Sequence, residues 1–177
     1  MRYTRINNTK HPQFQEVWSL YKKSFPSEER RQLRTQRKIM DNPLYHFEII
    51  NKEDVFIGFV MWWKFEDLIY IEHLATSPRF RGKGYGLHIL ERFISETKVP
   101  LLLEVEHPIT EINKRRIGFY QRAGFVLNNH EYKQPPYKKN GMYVPLMLMT
   151  YPGAITKKEV RHFCEKYHPV IHHPLFL

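Results

Sequence analysis

Cysteine is almost missing from this 177-residue chain, in which Cys164 is the only one. A lone cysteine cannot form an intrachain disulfide, so the sequence excludes a disulfide scaffold and is typical of the reducing cytoplasm. No apolar run approaches the roughly 18 residues that span a bilayer. The first residues also lack the apolar stretch of a secretory signal. We therefore expect a cytoplasmic protein without a membrane partner.

The paired Cys/His spacing of a zinc site is missing as well, so we expect no metal. Three of the ten histidines, His168, His172 and His173, lie near the C-terminus with Pro169 and Pro174. This composition predicts a surface tail.

Positive charge is abundant: 28 Lys and Arg face 18 Asp and Glu, which gives a net charge of +10. Such a surface attracts nucleic acid, an acidic membrane face or a multiply phosphorylated cofactor. The pattern over residues 27–41 predicts a basic helix capped by Ser27, which keeps a nucleic-acid partner open. No helix-turn-helix, zinc module or interleaving of Arg with aromatics supports that alternative.

Hydrophobic residues make up 42% of the chain, enough to fill the core of one domain. The apolar spacing predicts mixed helices and strands. In addition to the helix at 27–41, we expect an N-terminal strand, helices over 13–25, 110–123 and 156–167 and one after Gly86, and strands over 45–51, 55–65, 68–76, 101–106, 125–128 and 143–151.

Glycine is also scarce, yet three of the eight glycines fall within residues 82–86. They lie between a predicted strand and a predicted helix. Glycine lets the backbone approach a ligand closely, and the free N–H groups of a helix start favour an anion such as a diphosphate. Arg79, Arg81 and Lys83 add positive charge at the same place. The letters fit neither a Walker A loop nor a Gly-x-Gly-x-x-Gly fingerprint.

Two motifs together resemble a known family. Residues 79–84, Arg-x-x-Gly-x-Gly, match the Arg/Gln-x-x-Gly-x-Gly/Ala signature of the GNAT superfamily of acetyl-CoA-dependent N-acetyltransferases. Downstream, Asn113 precedes Tyr120 by seven residues, and residues 119–125 resemble Leu-Tyr-x-x-x-Gly-Phe. The resemblance extends over about residues 57–125.

The resemblance implies an α/β (α+β) fold in one domain over 1–177, with a mixed central sheet of six to seven strands flanked by helices on both faces. Residues 1–54 would supply an N-terminal strand, two helices and the first core strand. Residues 55–128 would form the cofactor-binding core, and residues 129–177 a final loop, strand and helix.

The same resemblance implies acetyl-CoA as co-substrate. The strand before the glycines would bind the pantetheine arm through its backbone, and the glycine turn would bind the pyrophosphate. Arg116 stands where the family commonly has Ala, so its guanidinium would reach the phosphates or point to solvent. The implied cofactor-binding residues are Leu74, Ala75, Thr76, Arg79, Arg81, Gly82, Lys83, Gly84, Tyr85, Gly86, Asn113 and Tyr120.

Tyr120 matches the phenol that protonates the departing thiolate in this family. An amine acceptor must also lose a proton, because an ammonium of pKa ~10.4 is only about 0.1% free amine near neutral pH. Carboxylates on interior strands are candidate bases: Glu72, and Glu104 and Glu106, which alternate along one strand face. The family layout makes Glu72 our first choice and Glu106 our second, with ion pairing to Arg or Lys as the structural alternative.

The sequence also gives expectations for the residues around these carboxylates. We expect His73 to point away from Glu72, as a core histidine, and Cys164 to have a packing role. Trp62, Trp63 and the loop at 132–137 would wall the acceptor cleft.

The leading interpretation is direct acetyl transfer in a ternary complex to an amine, either a small molecule or a protein amine. A non-catalytic CoA-binding domain and, less favoured, a basic nucleic-acid-binding protein are the alternatives. A homodimer is compatible with the sequence.

Overall fold

The computed structural model describes residues 1–172, in which strands and helices alternate along the chain. Two short 3₁₀ turns, Ser27–Glu29 and Pro78–Phe80, accompany them. The elements are β1 Arg2–Arg5, α1 Phe14–Ser24, α2 Leu33–Ile39, β2 Tyr45–Lys52, β3 Val55–Lys64, β4 Ile69–Thr76, α3 Tyr85–Glu96, β5 Leu101–Val105, α4 Glu111–Arg122, β6 Val126–Asn128, β7 Lys133–Gln134, β8 Val144–Pro145, β9 Met147–Tyr151, α5 Lys157–Lys166 and α6 His168–His172.

The central sheet has seven strands in the order β1-β2-β3-β4-β5-β9-β6, and β7 and β8 form a separate ribbon. β4 and β5 pair in parallel, whereas the other neighbours in the sheet are antiparallel. The predicted mixed sheet of six to seven strands is confirmed.

Helices cover both faces of the sheet, as predicted. On one face, α1 buries Phe14, Val17 and Tyr21 in a core shared with α5 and α6. On the other, α3 buries its apolar stripe in a second core with α4. Because apolar residues at spacings of three and four lie on one side of a helix, each helix closes one face of the sheet.

The single basic helix predicted over 27–41 is wrong. The turn Ser27–Glu29 is followed by extended backbone at Arg30, and α2 begins only at Leu33. Arg31 is the cause: it is only 2% exposed, and its backbone N–H donates to the Tyr21 hydroxyl at 2.8 Å. A helix through this segment would break that tertiary contact.

The surface tail predicted for the C-terminal histidines is also wrong where the structure describes it. Helix α6 begins at His168 and ends at His172. His172 is buried, with its ring 4.9 Å from that of Tyr137. The neighbouring Ile171 is fully buried and anchors the helix in the core. His173 and Pro174 lie outside the described residues.

The centre of the sheet is split. The parallel pairing of β4 with β5 runs from Ile69↔Leu101 to Ile71↔Leu103, and the two strands then continue on either side of a cavity. At the same level β4 carries a bulge, because Trp62 pairs with Ile71 and Met61 with His73.

The bulge makes Glu72 an extra residue that has no partner on β3. A bulge of this kind re-aims the side chains that follow it. Glu72 and His73 therefore both face Tyr137: its hydroxyl bonds Glu72, and its ring lies 5.9 Å from that of His73. The prediction that His73 points away from Glu72 is wrong for this reason.

Among residues 1–172, none of the helices has the length and apolar character needed to cross a bilayer.

Gly58 tests how tightly β3 and β4 are joined beside the cavity. A Cβ at Gly58 would run into the Ala75 carbonyl oxygen and lie 3.0 Å from the Thr76 Cα. We expect Gly58→Ala to lower the free energy of unfolding by about 1–3 kcal/mol, because both obstacles are backbone. Gly153→Ala is the matched control, since nothing lies within 4 Å of its added Cβ. Equal urea midpoints for the two variants would contradict this expectation.

Candidate active site

Two cavities meet at the split in the sheet. The inner cavity, of about 350 Å³, lies between β4 and β5. The outer cleft, of about 620 Å³, lies between the glycine turn and α4. Residues that line both are Leu74, Thr76, Arg81, Arg116 and Tyr120. The two spaces therefore adjoin each other.

The outer cleft is built to bind an anion. Gly82 and Gly84 have φ of +72° and +80°, in the left-handed region that favours glycine, and Gly84 is the N-cap of α3. The first N–H groups of this 12-residue helix have no carbonyl partner within the helix and carry a partial positive charge. Arginine side chains complete the lining: Arg81, Arg115, Arg116 and Arg122.

Most of the predicted cofactor-binding residues come together at this cleft. Ala75 lines the inner cavity instead. Lys83 places its Nζ 5.4 Å from the Phe80 ring, and Asn113 donates its side-chain amide to the His107 carbonyl at 2.9 Å. Arg79, Lys83 and Asn113 are not among the lining residues of either space. Those that line the cleft are Leu74, Thr76, Arg81, Gly82, Gly84, Tyr85, Gly86 and Tyr120.

Tyr120 lies at the junction of the two spaces, on α4. Its ring packs between Phe119 and Phe125, with centroids 5.0 and 6.0 Å away. Burial raises the pKa of Tyr120 to about 12, although the charge of Arg116 acts in the opposite direction. The phenol is therefore protonated at neutral pH and can act as a hydrogen-bond donor at this junction.

Glu72 is held in a buried ion pair with Arg31. The two side chains are 2.6 Å apart and fully buried, and Trp63 Nε1 and the Tyr137 hydroxyl donate to the carboxylate at 3.3 and 2.6 Å. Burial alone would raise the pKa of Glu72, but the charge of Arg31 lowers it to about 2. A carboxylate with so low a proton affinity is poorly suited to general base catalysis. The structural alternative, pairing with arginine, describes this residue.

Glu106 lines the inner cavity and forms an ion pair with Arg116. Arg116, at the position where the resemblance led us to expect Ala, lines both spaces. Its guanidinium therefore connects the carboxylate of the inner cavity with the cationic outer cleft.

Glu104 and Glu29 are the carboxylates of the inner cavity with raised proton affinity. Burial raises the pKa of Glu104 to about 7, even though Tyr70, Tyr132 and Gln134 donate hydrogen bonds to it. Burial and the charge of Glu106 raise the pKa of Glu29 to about 7. The sequence indicated Glu104 by its alternation with Glu106, whereas no local signal could have shown that the 3₁₀ turn carries Glu29 into this cavity.

The predicted aromatic wall is replaced by other residues. Trp62 stacks on His46 at 4.0 Å and Trp63 packs on Tyr45, so neither lines the inner cavity. From the loop at 132–137, Gln134 reaches it. The end of α1 closes the remaining side with Lys23, Ser24 and Phe25. Cys164 packs at the edge of the core, as predicted.

No group of three or more His, Cys, Asp or Glu side chains within residues 1–172 is arranged to hold a metal ion.

The chain matches the model of the acetyltransferase (GNAT) family over residues 13–125. A solved structure from Bacteroides thetaiotaomicron, assigned to the same family, is 38% identical and superposes with a TM-score of 0.88, covering 97% of this chain and 98% of that one. A Bacillus subtilis acetyltransferase in complex with CoA superposes with a TM-score of 0.56 over 84% of this chain and 96% of its own, at 13% identity, which shows a shared fold.

Curated relatives match over shorter stretches. The L-2,4-diaminobutyric acid acetyltransferase of Vibrio parahaemolyticus is 29% identical over 65 residues, which cover 37% of this chain and 36% of that protein. A second relative, from Bacillus subtilis, is matched over 41% of its length at 32% identity. The family model spans well over half of the chain and the Bacteroides structure nearly all of it. The protein is a member of the GNAT family of acetyltransferases.

Proposed function

We propose that this protein transfers an acetyl group from acetyl-CoA to an amine by direct attack in a ternary complex. The observation that supports this most strongly is the meeting of a cationic cleft and a carboxylate-lined cavity at one phenol, Tyr120. The cleft suits a polyphosphorylated ligand and the cavity suits a cation. Reaction between the two ligands requires such a junction.

The outer cleft fits the cofactor on its donor set. Its arginines and the N-terminus of α3 would bind the pyrophosphate, and the free edge of β4 beyond Ile71 would bind the pantetheine arm. Acetyl-CoA supplies the acetyl thioester when bound. The proposed cofactor-binding residues are Leu74, Ala75, Thr76, Arg79, Arg81, Gly82, Lys83, Gly84, Tyr85, Gly86, Asn113 and Tyr120.

Tyr120 acts in this proposal as the proton donor to the departing sulfur. A thiolate has a pKa near ~8.5, so its expulsion is easier when an adjacent hydroxyl donates to it. The hydroxyl of Tyr120 stands at the junction and keeps its proton at neutral pH, because burial raises its pKa.

Glu104 takes the place of Glu72 as the proposed proton acceptor. Its pKa of about 7 is close to the operating pH of a general base, whereas Glu72 is already neutralised by Arg31. Glu106, our second candidate from the sequence, would hold the ammonium of the acceptor together with Glu29. Glu72, which also lines the cavity, then has a fixed electrostatic role.

The size and charge of the inner cavity support a small acceptor. A volume of about 350 Å³ lined by Glu29, Glu104 and Glu106 suits a small primary amine. One curated relative is named for an amine of this kind, diaminobutyric acid. We therefore favour a small aliphatic amine over a protein amine, in the cytoplasm, where the thiol of Cys164 stays reduced.

The proposal is tested by incubating the protein with acetyl-CoA and a panel of amines. We expect acetyl-CoA to raise the melting temperature, because a ligand of the folded state stabilises it. We expect thiol release with aliphatic diamines at a higher kcat/KM than with a lysine-containing peptide. Thermal stabilisation without thiol release from any amine would instead favour the non-catalytic CoA-binding domain.

Removal of the Tyr120 hydroxyl tests its role directly. We expect Tyr120→Phe to lower kcat by about 10²-fold or more, the usual contribution of a general acid, with the Kd for acetyl-CoA within about twofold. Tyr151→Phe is the matched control, because both rings pack on Phe125 and Tyr151 lines neither space. Equal kcat values for the two variants would exclude Tyr120 as the donor.

The pH profile separates the two carboxylates with raised pKa. A general base must be ionised, so kcat should rise with pH and level off above an apparent pKa near 7. We expect Glu104→Gln to lower kcat by about 10²-fold and to abolish this rise, whereas Glu29→Gln keeps it. If the rise survives in Glu104→Gln and disappears in Glu29→Gln, the base is Glu29.

A further inference from the structure

A third cavity, of about 480 Å³, lies behind the inner one and opens to the surface. Lys133 and Pro135 line this outer pocket, whereas Gln134 between them lines the inner cavity. Successive residues of a strand point to opposite sides, so β7 forms a wall that is one strand thick. The two spaces have no lining residue in common.

A chain of hydrogen bonds crosses this wall. Glu104, which lines the inner cavity, accepts a hydrogen bond from the Tyr132 hydroxyl. The same hydroxyl lies 2.9 Å from Nε2 of His168, and His168 lines the outer pocket. Tyr132 is 5% exposed and His168 is half-buried. Three side chains from three different segments therefore connect the inner cavity to the far surface.

We propose that Tyr132 and His168 form a proton relay that carries the proton received by Glu104 through the wall to the outer pocket. This inference rests on the proposed function. The relay adds two positioning residues, Tyr132 and His168, and a second exit at the outer pocket to the proposed acetyl transfer.

The reaction leaves one proton to remove in each turnover. One N–H proton of the acceptor ammonium passes to a Glu104 oxygen, and the nitrogen lone pair then forms the C–N bond. The C–S bond breaks with its electron pair on sulfur, which takes a proton from Tyr120, and Tyr120 is reprotonated by the second N–H proton. The proton on Glu104 remains.

The relay would remove that proton through the β7 wall, so the proton need not leave through the inner cavity. Glu104 donates to the Tyr132 oxygen while the Tyr132 proton moves to Nε2 of His168, and the imidazolium releases its other ring proton to water. Bound acetyl-CoA would fill the junction at Tyr120, so a route across β7 would stay open when the direct one is closed.

Titratable and polar groups face both ends of the relay. Glu104 faces Tyr70, Tyr132 and Gln134, and the charge of Glu72 also acts on it. His168 faces the Tyr132 hydroxyl and the rings of Phe163 and His172. Burial lowers the pKa of His168 to about 4, so its ring is neutral at rest and its imidazolium would form only transiently before it passes the proton to water.

The relay is tested first by chemical rescue. We expect His168→Ala to lower kcat by about 10- to 100-fold, with the KM for acetyl-CoA unchanged, because the thioester site is not touched. Added imidazole should restore at least half of kcat, since the outer pocket is open and large enough to admit it. An unchanged kcat, or a loss that imidazole does not restore in a protein with a native circular dichroism spectrum, would overturn the relay.

Matched variants separate the relay from a structural effect. Tyr132→Phe keeps the ring and should lose kcat to a similar extent without rescue by imidazole, because the break lies inside the wall. Tyr143→Phe, on the outer pocket, and His162→Ala, on α5, should retain wild-type kcat. A wild-type kcat in Tyr132→Phe would contradict the proposal.

The connection can also be measured without turnover, which keeps its failure distinct from failure of the proposed function. In ¹⁵N-histidine-labelled protein, Tyr132→Phe should shift the Nε2 resonance of His168 and leave that of His162 in place. If no amine is acetylated, this measurement still tests the Tyr132–His168 hydrogen bond on which the relay depends. An unmoved His168 resonance would exclude the relay.

Discussion

The parting of β4 from β5 is the constraint on which the rest of this structure depends. The strands pair over three residues, up to Ile71, and then separate at the bulge that Glu72 makes in β4. Unpaired strand edges are costly unless something satisfies their backbone groups. The split therefore opens the inner cavity and leaves a polar edge available to an extended ligand.

A buried ion pair accompanies the bulge. Arg31 pairs with Glu72, and its Nη2 donates to the Ile171 carbonyl at 3.0 Å, so one guanidinium joins the bulge to α6. Removing one partner of such a pair commonly costs about 3–5 kcal/mol, because a buried charge is left without compensation. The pair also explains why Glu72, the most conspicuous carboxylate of the sequence, has a lowered pKa, whereas burial raises that of Glu104 in the same cavity.

Elements that are specified by a local sequence pattern were predicted well. The glycine turn and the strands Tyr45–Lys52, Val55–Lys64 and Ile69–Thr76 agree with local patterns to within one or two residues. The errors lie where a distant contact overrides the local preference. The Tyr21 hydroxyl interrupts the basic helix at Arg31, and the buried Ile171 turns an apparent tail into a helix.

The sequence by itself determined the family and the glycine turn before α3, because both depend on residue types and spacings that are local along the chain. Only the tertiary structure decided which carboxylates share a cavity, since Glu29, Glu104 and Glu106 come from a 3₁₀ turn and from β5 with the residue that follows it. Proton affinity is likewise a tertiary property: burial and neighbouring charges, set by packing, distinguish Glu104 from Glu72 although the side chains are identical.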